Sequence, residues 1–214
     1  MKRPCPLVSG HLYHVFNKSI AGYEIFTTAG EYGRMIDAIT YYRQTDPREK
    51  FSRFVQRKHR PPRRSVEKEG VAVVAYCLMP THIHLVLAQR AEDGISLFMN
   101  NIANSYARYF NTAHSRRGPL WEGRFKNVRV ETDEQLLHLT RYLHLNPVTA
   151  GLVERPQDWE YSSYREYLGQ GASETHICAK DEYLEILPAQ YRRFTEERID
   201  DQRKLARIKH LLYE

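Results

Sequence analysis

Residues 11–18, His-Leu-Tyr-His-Val-Phe-Asn-Lys, alternate in polarity closely enough to read as a strand. Thr28 to Arg43 places Met35, Ile36, Ile39 and Tyr42 at helical spacing and reads as a helix. Val71 to Met79 is an unbroken apolar run, rich in β-branched residues and short enough for a buried strand. Pro80-Thr81 turns the chain and His82 to Leu87 continues as a second strand, so the two predict a tight antiparallel hairpin. Ile95 to Phe110 reads as an amphipathic helix and Arg124 to Val130 as another strand. Asp133 to Leu145 follows as a helix capped by Thr132 or Asp133, with Leu136, Leu139 and Leu143 on its buried face. The order strand, helix, hairpin, helix, strand, helix predicts an α+β fold in which helices cover an antiparallel sheet.

Two segments fall outside this pattern. Residues 43–70 are arginine-rich, carry Pro47, Pro61 and Pro62, and read as an exposed basic insertion. Residues 171–214 read as a charged, mostly helical C-terminal extension to a domain spanning 1–170. The chain has 214 residues, 42% hydrophobic and 27% charged, which excludes a wholly disordered or fibrous protein. The longest apolar run, Val71–Met79, is too short to span a bilayer. No apolar stretch follows the basic N-terminal residues, and Cys5, Cys77 and Cys178 form no Cys-x-x-Cys pair. These features predict a cytoplasmic protein without a disulfide framework or a thiolate zinc site.

The net charge of +6 is modest, but its distribution is uneven. Arg43 to Lys68 holds ten basic and three acidic residues, among them Arg57, Arg63 and Arg64. A second basic stretch, Arg116, Arg117, Arg124, Lys126 and Arg129, is interleaved with Trp121 and Phe125. Focused positive charge beside aromatic rings suits phosphate contacts and stacking on unpaired bases. A solvated surface loop is the bland alternative.

Candidate chemistry centres on His82-Ile83-His84. Side chains at i and i+2 of a strand share a face, so both imidazoles can reach one divalent ion while Ile83 faces the core. Two histidines on a solvated strand face are the competing reading, and Leu85-Val86-Leu87-Ala88 adds none of the further ligands a zinc hydrolase needs. On the last helix His138, Tyr142 and Asn146 recur at i, i+4 and i+8 as a polar stripe among leucines. Asn146 precedes Pro147, which disfavours helical geometry there.

The segments Tyr76 to Leu85 (YCLMPTHIHL), Leu120 to Lys126 (LWEGRFK) and Arg141 to Val153 (RYLHLNPVTAGLV) together resemble the single-tyrosine HUH transposases, with the IS200-like fold. Tyr13 to Asn17 and Trp159 to Tyr164 are similar to the REP-associated tyrosine transposases of bacteria. The resemblance implies a ferredoxin-like or RRM-like fold, His82 and His84 as the metal pair, Asn146 as a third ligand and Tyr142 as the nucleophile. It implies Mg2+ or Mn2+ as cofactor and single-stranded or hairpin DNA, including REP-type palindromes, as partner. The reaction implied is cleavage and rejoining through a 5′-phosphotyrosine, by a monomer or homodimer. Family members commonly carry Asn where this chain has Thr81, and the basic insertion is longer than the branch leads one to expect. A non-cleaving DNA-hairpin or RNA-binding protein on the same fold, and a metal-dependent hydrolase with a structural Tyr142, are the rival readings. Tyr106 and Tyr109, on the helix after the hairpin, read as packing residues.

Overall fold

The computed structural model describes residues 6–46, 49–56, 69–170 and 176–204. In chain order it runs β1 (Leu12–Lys18), α1 (Ala29–Tyr42), α2 (Phe51–Gln56), β2 (Val71–Met79), β3 (His82–Gln89), α3 (Gly94–Ala113), β4 (Lys126–Val130), α4 (Asp133–Thr149), α5 (Tyr164–Tyr167) and α6 (Pro188–Glu196). The four strands form one antiparallel sheet in the order β2-β3-β1-β4, the arrangement of a split βαβ, ferredoxin-like fold. The expected α+β architecture is therefore the observed one.

One face of the sheet presents Tyr13, Val15, Ile83, Leu85 and Leu87, which pack with Met35 and Ile39 of α1 and with Ile95, Ile102, Tyr106 and Phe110 of α3. Helix α1 starts at a capping box, where Thr28 Oγ1 accepts from Glu31 N–H and the Glu31 carboxylate accepts from Thr28 N–H at 2.9 Å. Helix α3 starts against the end of the basic insertion. A Cβ at Gly94 would lie 2.2 Å from the Gly70 carbonyl oxygen, so only glycine permits this approach. Tyr106 is fully buried and its hydroxyl donates to the Ile25 carbonyl, while Tyr109 is half-buried beside it.

The opposite face carries a second core of Val74, Cys77, Met79 and Val86, covered by Leu136 and Leu143 of α4 and by Tyr164, Tyr167 and Tyr191. β2 is an edge strand, yet all nine of its residues are buried. Its outer edge is capped by later chain: Leu78 N–H donates to Tyr161 O at 2.9 Å, Ser163 N–H to Tyr76 O at 3.0 Å and Ala179 N–H to Val73 O at 2.7 Å. Residues 177–179 thus complete the sheet edge, and α6 packs on α4. Within the described residues 176–204, Pro188–Glu196 and 199–204 are α-helical, while the stretch around Ile177 is irregular, its Ile177 and Cys178 N–H donating to the Glu166 carboxylate.

Helix α4 runs past the expected end at Leu145, through Pro147 to Thr149. Proline removes one backbone donor, but Pro147 and Val148 are buried, and Thr149 Oγ1 donates to Leu145 O at 2.9 Å, so the last turn holds. Asn146 therefore keeps its place one turn after Tyr142. Among the described residues no helix is long and apolar enough to cross a membrane.

Candidate active site

The hairpin turn fixes where β3 begins. Pro80 O accepts from Ile25 N–H at 2.8 Å and Thr81 O from Ser19 N–H at 2.8 Å, so the turn is tied to the chain leaving β1. Strand register then sets His82 opposite Lys18 and Met79, and His84 opposite Phe16 and Cys77. The two histidines share the α4 face, their ring centroids 4.9 Å apart and nearly perpendicular, while Ile83 is fully buried in the opposite core.

Helix α4 crosses this face and brings the Tyr142 ring to 5.9 Å from that of His84. Its neighbours in sequence hold it there. His144 is fully buried, with Nδ1 2.6 Å from the Tyr191 hydroxyl and Nε2 2.8 Å from Ser163 Oγ. Ser163 Oγ also donates to Tyr76 O, so the consistent assignment has His144 Nε2–H donating to Ser163 and Nδ1 accepting from Tyr191. Burial lowers the His144 pKa to about 3 and keeps it neutral. Arg141 Nη1 donates to Phe194 O at 3.3 Å and its guanidinium lies 4.1 Å over the Phe194 ring. Tyr142 itself is 46% exposed, and among the described residues its hydroxyl has no hydrogen-bond partner.

A third imidazole completes the cluster. His14 on β1 places Nε2 3.0 Å from His84 Nδ1, with the ring centroids 5.2 Å apart, the planes inclined by 23° and Tyr142 edge-on to both. Sequence reading did not single it out, although alternation along β1 puts His14, Phe16 and Lys18 on one face. Burial lowers the pKa of His14 and His82 to about 4 and of His84 to about 3, with Lys18 and the neighbouring imidazoles adding to the shift at His84. All three are neutral near pH 7, the form in which imidazole ligates metal. His82 Nδ1 lies 2.9 Å from Thr81 Oγ1, so the threonine supplies a polar partner at that position.

Whether these residues suit a divalent ion is tested by what their donor atoms already engage. The Nδ1 atoms of His82 and His84 are taken by Thr81 and His14, which leaves Nε2 of each to ligate. Asn146 is half-buried, and its Nδ2 atom is buried and unpaired among the described residues; turning the amide over would put its oxygen, the atom a cation takes, at that point. Among the described residues no three His, Cys, Asp or Glu side chains are placed to hold one metal ion, so His14 is not a third ligand. Two imidazole nitrogens, with the Asn146 amide one turn past Tyr142 on α4, are donors of a kind compatible with a divalent ion that keeps open positions.

The predicted nucleic-acid residues separate into groups. Arg124 and Lys126 line a cleft with Phe16, Asn17, Lys18, Glu122 and Gly123, contiguous with the histidine face. Arg117 is exposed on the loop after α3. Arg129 lies three residues beyond Lys126 on β4, and the two-residue strand period turns it to the opposite face. Arg116 holds its own loop, donating to Asn111 Oδ1 at 3.1 Å and Pro119 O at 2.8 Å. Phe125 is only 7% exposed within the α1–α3 core, which corrects its expected role in stacking on bases. Trp121 is half-buried, and its indole N–H donates to Ala103 O at 3.0 Å. Arg43 is buried and paired with Glu69 at 3.5 Å, a structural ion pair instead of a phosphate contact. Arg57, Arg63 and Arg64 lie outside the described residues.

The chain is similar to known proteins. A protein of Haemophilus influenzae assigned as a REP-associated tyrosine transposase is 29% identical over 101 residues, covering 42% of this chain and 57% of the relative. The REP-associated tyrosine transposase of Escherichia coli is 21% identical over 98 residues, covering 45% of this chain and 56% of the relative. The matches thus span little more than half the length of these relatives. A solved structure of a REP-associated tyrosine transposase bound to a REP hairpin superposes with a TM-score of 0.56 at 15% identity, over 87% of this chain and 99% of that one, which is a likeness of fold. The family model for IS200-like transposases matches residues 38–146, a span that takes in both histidines, Tyr142 and Asn146. Covering just over half of the chain, that match establishes that this protein belongs to the IS200-like transposase family.

Proposed function

We propose that this protein cleaves and rejoins single-stranded DNA at hairpin-associated sites, with Tyr142 as the nucleophile. The observation that carries the reading is the approach of Tyr142 to the His82–His84 pair within one chain, with the tyrosine ring 5.9 Å from His84 and its hydroxyl without a hydrogen-bond partner among the described residues. Tyr142 Oη attacks the phosphorus in line, the bond to the 3′-oxygen breaks, and a 5′-phosphotyrosine and a free 3′-hydroxyl result. One proton passes, net, from the phenol to the leaving oxygen. Reversal by another 3′-hydroxyl restores the diester, so no nucleotide cofactor is consumed. His82, His84 and Asn146 would hold the cation, which when bound supplies Lewis-acid neutralisation of the non-bridging phosphate oxygens. Lys18, Arg124 and Lys126 line the cleft beside the pair and bind the adjoining backbone phosphates. The approach of Tyr142 to the histidines of its own chain supports cleavage by one copy.

Hairpin DNA is chosen as substrate because a similarly folded structure is of a transposase bound to a REP hairpin. The test is to incubate the protein with Mn2+ or Mg2+ and end-labelled hairpin DNA bearing single-stranded flanks, then run a denaturing gel. A label shifted to the mass of protein plus DNA supports the reading. Tight hairpin binding with no adduct on any flank would instead mark a binding protein that does not cut.

A further inference from the structure

We propose that His14 is a positioning residue that holds the His84 ring with Nε2 turned towards the divalent ion. This rests on the metal reading of His82 and His84 given above. A neutral imidazole has one N–H and one lone pair in its plane. If His84 offers the Nε2 lone pair to a cation, its proton sits on Nδ1, and that N–H has one partner at 3.0 Å, His14 Nε2. His14 must then accept, with its own proton on Nδ1. A flip of the His84 ring about Cβ–Cγ would set a C–H against the His14 lone pair and lose the hydrogen bond. His14 therefore selects both the tautomer and the orientation of His84.

The fold makes this contact dependable. β1 lies between β3 and β4, and its register sets His14 diagonal to His84, with Phe16 directly across. The ring planes of His14 and His84 are inclined by 23°, and Tyr142 stands edge-on over both. Thr81 Oγ1 engages His82 Nδ1 at 2.9 Å, so each histidine of the pair has its inner nitrogen held by a separate residue. Partners of this kind on metal-ligating histidines typically contribute about 10- to 100-fold in metal affinity.

A merely space-filling His14 would be replaced well by phenylalanine. A positioning His14 would not, whereas glutamine can present a carbonyl oxygen to the His84 N–H. Two measurements decide. Long-range imidazole 15N spectra of the metal-free protein should show His84 protonated at Nδ1, and that preference should be lost in His14→Phe. Mn2+ titration followed by electron paramagnetic resonance should show affinity falling about 10- to 100-fold in His14→Phe and returning to within a few-fold in His14→Gln. A wild-type His84 protonated at Nε2 overturns the proposal, even if the variants fail to fold. Equal Mn2+ affinity in wild type and His14→Phe overturns it while leaving the metal site standing. Absence of Mn2+ binding by the wild type removes the metal reading itself, and this proposal with it.

Discussion

Exchanging Tyr142 for phenylalanine should separate chemistry from folding, and Tyr106→Phe should do the reverse. Each change deletes one hydroxyl. The Tyr142 hydroxyl is exposed and has no hydrogen-bond partner among the described residues, so its loss belongs with surface substitutions worth within about 0.5 kcal/mol. For a chain of this size that corresponds to a shift in Tm of about 1–2 °C. The Tyr106 hydroxyl is buried and donates to the Ile25 carbonyl, which its loss would leave unpaired. An unpaired buried acceptor costs about 1–3 kcal/mol, and a middle value of about 1.5 kcal/mol lowers Tm by about 3–6 °C. Differential scanning fluorimetry reads the stability, and a denaturing gel with labelled hairpin DNA and Mn2+ reads the covalent adduct. Tyr142→Phe should melt with the wild type and form no adduct; Tyr106→Phe should melt earlier and still form it. Persistence of the adduct in Tyr142→Phe, with its loss in a folded Tyr106→Phe, would refute the assignment of the nucleophile.

Further expectations follow from the same geometry. His82→Ala and His84→Ala should each abolish the adduct and weaken Mn2+ binding by calorimetry, while hairpin affinity measured by gel shift changes little. Neutralising Lys18, Arg124 or Lys126, which line the cleft beside the histidines, should each reduce the slope of log K against log salt by about one. Tyr191→Phe removes the hydroxyl 2.6 Å from His144 Nδ1 and should destabilise the protein by about 1–3 kcal/mol in denaturant titration, loosening the helix that carries Tyr142. Glu31 is buried, but hydrogen bonds from Thr27, Thr28 and His114 hold its pKa down at about 2, against an ordinary 4.5. A depressed carboxylate stabilises the fold above pH 4.5 and loses that contribution as pH falls towards 2, so Glu31→Gln should lower Tm at pH 7 and flatten its fall between pH 4.5 and 2.

The sequence by itself determined the elements that periodicity can encode. Alternation along 11–18, the apolar run 71–79 and the Pro80-Thr81 turn defined three strands, and strand period alone put His82 and His84 on one face. Leucine spacing defined the tyrosine helix, though its end was misplaced, because the Asn146–Pro147 step signals a break that burial and the Thr149 back-bond override. What only tertiary structure decided were relations between residues far apart in the chain. His14 lies 70 residues from His84 and becomes its hydrogen-bond partner only when β1 pairs with β3. His144 has the look of any helical histidine until Ser163 and Tyr191 enclose it. The basic stretch 116–129 reads as one patch in one dimension, but the fold sends Phe125 into the core, uses Arg116 to close a loop and turns Lys126 and Arg129 to opposite faces. Local hydrophobic period fixes which way a side chain points from its own backbone, whereas the partner it meets depends on strand order and helix docking, which no short window of sequence contains.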